Sequence, residues 1–182
     1  MTQITAIGLA DIDLYLEHLG RHRAAYGNPG EIIHDPHPRD YKWDPVEKRR
    51  AHIERWSKSI NDVAWGRAWA ARDGDKIVGH LSLQHRGIPT NLHRAWLGMS
   101  VETQYRRQGI GRALVEAATR WATSETTLAW IDLGVLAHNQ PAKRLYDAIG
   151  FQETGKTLDA FRVDGQSIDD IQMSLRLSSQ PD

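Results

Sequence analysis

The sequence contains no cysteine, so a disulfide scaffold, a cysteine nucleophile and a thiolate metal site are excluded. It also lacks an excess of one charge, because its 23 Lys and Arg residues are matched by 23 Asp and Glu residues. Dedicated nucleic-acid binders usually carry a basic surplus, so we expect no nucleic-acid partner. No stretch approaches the roughly 18 apolar residues of a membrane-spanning helix, and we expect no membrane partner.

The N-terminal segment lacks the features of a secretory signal. A signal peptide needs a basic start and an apolar run, whereas this segment carries Asp11, Asp13 and Glu17. We therefore expect a cytoplasmic protein. A chain of 182 residues has the size of one domain with a substantial core, so we expect residues 1–182 to form a single domain.

Hydrophobic periodicity predicts an α/β fold with a mixed sheet. The predicted order is a strand, two helices, three strands, a helix, a strand, a helix and two strands. The predicted strands are residues 2–7, 64–71, 76–84, 94–101, 128–136, 151–162 and 167–177, and the predicted helices begin at residues 11, 45, 109 and 139. The last strand is expected to offer an exposed edge, which makes a homodimer reasonable.

The segment from Gly27 to Trp43 is rich in proline, glycine and histidine, and we expect a long loop. Loops of this length inside a compact domain are often functional. His34 and His37 lie close together in this segment, but no third ligand is near them in the sequence, so we expect no metal site.

Two glycines follow the predicted strand 94–101 and open an amphipathic helix. The N–H groups at a helix start attract phosphate oxygens, and Gly109 and Gly111 allow the backbone to approach an anion closely. A dinucleotide-binding turn would need a small residue where Leu114 stands. A P-loop would need a lysine where Arg112 stands. The alternative that the glycines only begin a helix stays open.

Two motifs resemble those of the GNAT superfamily of acyl-CoA-dependent N-acyltransferases. The first is Arg106-x-x-Gly109-x-Gly111 after a strand that ends in Gly98-Met99-Ser100-Val101. The second is Leu133-x-Val135, Asn139-x-x-Ala142-x-x-Leu145-Tyr146 and Gly150-Phe151. The resemblance implies a mixed, mostly antiparallel sheet with about four helices, in which strands 94–101 and 128–136 splay apart to form the CoA slot. It implies an acyl-CoA-binding core at 64–177, variable acceptor-side elements at 1–63 and a tail at 178–182.

The resemblance also implies that acetyl-CoA is the co-substrate and that no metal takes part. Strand backbone groups would bind the pantetheine arm, N–H groups of residues 107–112 would cradle the pyrophosphate, and the last helix would contact the arm. The implied cofactor-binding residues are Met99, Ser100, Val101, Arg106, Arg107, Gln108, Gly109, Ile110, Gly111, Arg112, Asn139 and Ala142.

Tyr146 matches the family tyrosine that protonates the departing thiolate, although its apolar stripe also fits an ordinary core tyrosine. The glutamate that acts as the base in many relatives is absent, because Trp96 and Gly134 stand at its places. Asp132 lies on the same strand face as Gly134 and is the candidate base. His80, Glu31, His34, Glu102 and ordered water without a dedicated base are the alternatives.

These implied roles describe an N-acetyltransferase that transfers acetyl from acetyl-CoA to a primary amine, on a small molecule or a peptide. We expect the acceptor to lie among the loop 27–43, the second helix and the last hairpin, with Tyr41, Trp43, Trp56 and Trp65 available as aromatic contacts. A non-catalytic acyl-CoA-binding regulatory module is the alternative.

Overall fold

The computed structural model describes residues 2–25, 36–38 and 40–177. The strands are β1 (Gln3–Ile7), β2 (Gly66–Asp73), β3 (Lys76–Gln84), β4 (Arg94–Val101), β5 (Trp130–Leu136), β6 (Gln152–Val163) and β7 (Gln166–Arg176). The α-helices are α1 (Ile12–Ala25), α2 (Pro45–Ser57), α3 (Ile110–Glu125) and α4 (Gln140–Ile149). The predicted order of elements is therefore confirmed.

All seven strands form a single sheet in the order β1-β2-β3-β4-β5-β7-β6. Every neighbouring pair is antiparallel except β4 and β5, which are parallel. This confirms the mixed, mostly antiparallel sheet. The expectation that the last strand forms an edge is wrong, because β7 pairs with β5 on one side and with β6 on the other. The homodimer stays a prediction.

Alternating side chains give the sheet two buried faces. One face packs against α3 and α4 through a large core that includes Leu81, Leu97, Leu114 and Leu133. The opposite face packs against α1 through a smaller core that includes Tyr15 and Ala70, and Trp56 of α2 packs on it. The acceptor-side position expected for Trp65 is wrong, because this residue has no exposed surface and lies in the large core.

Local sequence signals explain where the helices and the last hairpin begin and end. Asp44 caps α2 by accepting hydrogen bonds from two backbone N–H groups, and Asn139 caps α4 by accepting one from Ala142. Gly150 ends α4 with a φ angle of 110°. Asp164 and Gly165 both have positive φ angles, and such a pair joins antiparallel strands in a tight turn.

Strand β2 begins two residues later than expected, at Gly66. Ala64 has a φ angle of 61°, and its N–H donates to Nδ1 of His85 at 3.0 Å, so it cannot extend the strand.

The predictions that concern Glu31, His34 and the tail 178–182 lie outside the described residues. No helix among the described residues is long and apolar enough to cross a membrane.

Candidate active site

The parallel strands β4 and β5 separate soon after they pair. Their register ends at Trp96 opposite Asp132, although β4 continues to Val101 and β5 continues to Leu136. The outer edge of each strand stays paired over the separated part, β4 with β3 and β5 with β7. A wedge-shaped gap therefore opens between them, as expected.

The separated part of β4 directs backbone groups into this gap. The N–H of Glu102 donates to the carbonyl of Val78 on the β3 side at 2.9 Å. Because backbone direction alternates along a strand, Met99 and Val101 point the opposite way, toward the gap. Ser100 instead directs its backbone toward β3, and its hydroxyl lies 2.7 Å from Nε2 of His22 on α1.

Helix α3 begins at the end of β4, next to the gap. Gly109 is its N-cap with a φ angle of 80°, and a Cβ built on Gly109 meets no atom within 4 Å. The backbone N–H groups of residues 107–112 have no acceptor among the described residues. No acidic residue occupies the first turn. Such a helix start can bind an anion such as a pyrophosphate.

The three arginines of this segment differ in their contacts. Nε of Arg106 donates to the carbonyl of Val101 at 3.0 Å, so this residue ties the loop to the end of β4. Among the described residues, Arg112 forms a single long ion pair, with Glu116 at 3.8 Å. Arg107 is exposed and has a φ angle of 63°. Exposed guanidinium groups at this place can add donors to a bound phosphate.

Gly111 has a different function from Gly109. A Cβ on Gly111 would lie 3.0 Å from Cδ2 of Leu145 and 3.4 Å from Cε of Met99. The absent side chain therefore allows α3, α4 and β4 to meet closely. Gly109 allows the turn, whereas Gly111 sets the packing of the helix that carries Tyr146.

The start of α4 leaves polar groups beside the gap. The Oδ1 atom of Asn139 accepts the N–H of Ala142 at 3.3 Å. Its side-chain NH2 group donates to no described residue and can reach a ligand. Gln108 donates to the carbonyl of Gln104 at 3.1 Å, and Ile110 is buried in the large core. The Gln108 side chain therefore supports the loop, and the Ile110 side chain packs into the core.

Tyr146 is 6% exposed and packs edge-on against Phe151, with the ring centroids 5.4 Å apart. Its hydroxyl has no hydrogen-bond partner among the described residues. Burial raises the pKa of the Tyr146 phenol, so the group keeps its proton at neutral pH. A neutral phenol of this kind can act as a proton donor.

Asp132 is held by three hydrogen bonds. Arg94 donates to both carboxylate oxygens at 2.7 and 2.6 Å, and Oγ of Ser174 donates at 2.6 Å. In this arrangement charge-assisted and hydroxyl donors occupy both carboxylate oxygens. The base role of Asp132 stays a prediction, and these contacts favour a structural role.

The described alternatives to Asp132 also lie in contacts with other side chains. Nδ1 of His80 lies 3.0 Å from Nε2 of His18. Glu102 accepts hydrogen bonds from Arg21 and Lys76 and lies 3.3 Å from His18. Burial raises the pKa of Glu102, but these donors outweigh burial and hold the pKa below its usual value. Glu102 therefore anchors α1 to the start of the loop that leads from β4 to α3.

Sequence reasoning missed two charged residues near the gap. The guanidinium of Arg86 lies 3.8 Å from the ring centroid of Trp96 on β4. The carboxylate of Asp170 on β7 lies beside Gly134 on β5. The sequence shows a glycine at position 134, but it does not indicate which strand pairs beside that glycine. Among the described residues, no group of three His, Cys, Asp or Glu side chains could hold a metal ion.

The chain is similar in sequence to known acetyltransferases. A family model described as "Acetyltransferase (GNAT) family" matches residues 31–151. The chain is 28% identical over 120 residues to L-amino acid N-acetyltransferase AaaT of Escherichia coli (strain K12). That match covers 66% of this chain and 66% of AaaT, so the chain spans just under two thirds of this relative.

Solved structures with the same fold extend over nearly the whole chain. The GNAT-family acetyltransferase of Streptococcus pneumoniae has a TM-score of 0.81 at 22% identity and covers 97% of this chain and 99% of its own. The yncA protein of Salmonella typhimurium, solved with its cofactor acetyl-CoA, has a TM-score of 0.80 at 16% identity, with coverages of 100% and 97%. At these identities the likeness establishes the fold, and it confirms the fold class expected from the two motifs.

Proposed function

The chain belongs to the GNAT family of acetyltransferases, and we propose that it transfers an acetyl group from acetyl-CoA to the primary amine of a small molecule. Three features carry this proposal. They are the backbone edge of β4, the N–H groups at the start of α3 and the phenol of Tyr146.

Residues of the gap would bind the co-substrate through backbone and side-chain donors. The N–H groups of residues 107–112 would hold the pyrophosphate, with Arg107 and Arg112 beside it. The groups of Met99 and Val101 that face the gap would pair with the amides of the pantetheine arm, as an added strand does. The NH2 group of Asn139 would bind the same arm from α4. This arrangement would direct the thioester toward Tyr146.

Tyr146 would act as the general acid. When the acceptor amine attacks the acetyl carbon, the bond to sulfur breaks and the CoA thiolate leaves with a negative charge. The buried phenol still carries its proton at neutral pH, so it can donate this proton to sulfur. Protonation favours the forward reaction because it removes the charge from the leaving group.

The acceptor would be a small amine that also carries a carboxylate, such as an amino acid. The relative AaaT is an L-amino acid N-acetyltransferase, which supports this class. On the side of the sheet opposite α3 and α4, Arg86 lies over Trp96 and forms no ion pair with a described residue. An exposed guanidinium there can bind a carboxylate. A peptide amine is the other acceptor class.

The proposal is tested by measuring release of the CoA thiol from acetyl-CoA in the presence of separate panels of amino acids, polyamines and peptides. Acetylated products are identified by their mass. Thiol release with amino acids, faster than with polyamines or peptides, is the expected result. The corresponding amino acid amides keep the amine but lack the carboxylate, so they serve as matched acceptors.

Two results would contradict the proposal in different ways. A rise in melting temperature with CoA but no thiol release with any panel would indicate a non-catalytic acyl-CoA-binding module. Fast turnover of peptides or polyamines alone would support the acetyltransferase activity but reject amino acids as the acceptor class. A chain that CoA does not stabilise would reject both functions, since a ligand that binds only the native state must stabilise it.

A further inference from the structure

A carboxylate from a neighbouring strand occupies the space of the missing side chain at Gly134. A Cβ built on Gly134 would lie 3.0 Å from each carboxylate oxygen of Asp170. A side chain at position 134 would therefore push the Asp170 carboxylate away from β5. In effect β7 places an acidic group beside a position of β5 that has no side chain of its own.

This carboxylate lies at the separated part of β5. Gly134 is two residues beyond the end of the β4–β5 pairing, and its surface is exposed. Asp170 pairs with Leu136 and lies on the side of the sheet opposite α3 and α4. Trp96, at the last paired position of β4, and Arg86, which lies over its ring, are on the same side of the sheet. The carboxylate therefore lies beside the separated part of β5, beyond the last paired position of β4 and β5.

The surroundings of Asp170 leave it able to accept a proton. Nε2 of Gln172 donates to one of its oxygens at 2.8 Å, and no described cation lies within ion-pair distance of it. Burial raises the pKa of this carboxyl, and the Gln172 hydrogen bond and the charge of Arg86 only partly oppose that effect. Its β6 neighbours Thr157 and Gly155 are uncharged. Further along the same face the Arg94–Asp132 pair is already neutralised.

We propose that Asp170 is the general base that deprotonates the acceptor amine. This proposal rests on the proposed function. The acceptor arrives as an ammonium ion, and one N–H bond breaks as the proton passes to an oxygen of Asp170. The released electron pair forms the bond to the acetyl carbon, the carbon–sulfur bond breaks, and sulfur takes a proton from Tyr146. As the amide forms, the nitrogen loses its second proton, which restores the Tyr146 phenol. Asp170 then returns its proton to solvent.

The test compares Asp170→Asn with the wild type in thiol release across a range of pH. General bases contribute about 100-fold to 10,000-fold in rate, so kcat/KM at neutral pH should fall by roughly 100-fold or more. In the wild type kcat/KM should decrease as the pH falls through the raised pKa of Asp170. That acidic decrease should be absent in the variant, and the loss should appear mainly in kcat.

Asp169→Asn is the matched control on the same strand. Asp169 faces the opposite side of the sheet and pairs with Lys156 at 2.8 Å, so its variant should keep the wild-type rate and pH profile. Melting temperatures with and without CoA show whether each variant folds and binds the co-substrate. If Asp170→Asn does not fold, Asp170→Glu, which keeps a carboxylate, should retain the acidic decrease.

The outcomes separate this proposal from the proposed function. A wild type that releases no thiol with any amine rejects the transferase itself. An active wild type whose Asp170→Asn variant keeps its rate, keeps its acidic decrease or changes only in KM overturns the base role alone. An acidic decrease that is missing in Asp170→Glu also overturns it.

Discussion

The side chain of Leu145 on α4 occupies the space beside Gly111 on α3, with only 3.0 Å between its Cδ2 atom and the position of a Cβ. This contact fixes the distance between α3, which begins beside the gap, and α4, which carries Tyr146. Because protein interiors are close-packed, a larger residue at position 111 must move α4 or force a strained rotamer.

We therefore expect Gly111→Val to lower the free energy of unfolding by about 1–3 kcal/mol, the usual cost of overpacking. The combined variant Gly111→Val with Leu145→Ala should lose less stability than the sum of the single changes, since the smaller residue makes room. Urea unfolding of all four proteins measures this difference. Strict additivity would show that the contact does not limit the packing of α3 and α4.

Tyr146→Phe should lower kcat at least tenfold while the affinity for CoA changes little. The substitution removes the hydroxyl but keeps the ring that packs against Phe151. The loss concerns only the proton given to the leaving thiolate, which develops after CoA has bound. Steady-state thiol release and the CoA-induced rise in melting temperature measure the two effects. An unchanged kcat would reject the general-acid role.

Much of the fold could be predicted because its signals are local in the sequence. The cap at Asn139, the stop at Gly150 and the glycine turn at Gly109 each act over a few residues. The gap between β4 and β5 followed from the family motifs rather than from periodicity. Those motifs also mark the residues that we propose to face the co-substrate.

The acceptor side could not be predicted in the same way, because it depends on how distant strands pair. The sheet order places β7 between β5 and β6, so Asp170 reaches Gly134 from a strand that begins thirty residues further along the chain. Nothing in the local sequence of β5 indicates this neighbour. Trp65 is a similar case, since aromatic character alone does not distinguish a pocket from the core.

Asp132→Asn should mainly affect stability. The substitution weakens the paired hydrogen bonds from Arg94 and the bond from Ser174, which join β4, β5 and β7 where the gap begins. Hydrogen bonds to charged groups contribute about 1.5–3 kcal/mol, and we expect a loss of this order in the free energy of unfolding. Asp75→Asn, in an exposed turn, is the control. Unchanged stability with a shifted pH profile of kcat/KM would instead favour Asp132 as the base.

His52 packs against the aromatic rings of Tyr15 and Trp56, with centroid distances of 5.1 and 5.4 Å. Burial, together with the positive charges of Arg55 and Lys48, lowers the pKa of His52 to about 4. In the unfolded chain the pKa of histidine is about 6.5, so between these values the unfolded state binds more protons than the folded state. Folding stability should therefore be complete above about pH 6.5 and decrease as the pH falls toward 4.

His52→Phe keeps an aromatic ring against Tyr15 and Trp56 but cannot bind a proton. Its free energy of unfolding should therefore change less between pH 6.5 and pH 4 than that of the wild type, by about the contribution of one titrating group. Buried His18, whose pKa burial also lowers, remains in both proteins and preserves part of the slope. The exposed His93 provides the control variant His93→Gln, which should keep the full slope. Equal slopes for all three proteins in urea unfolding would show that His52 is protonated equally in the folded and unfolded chains.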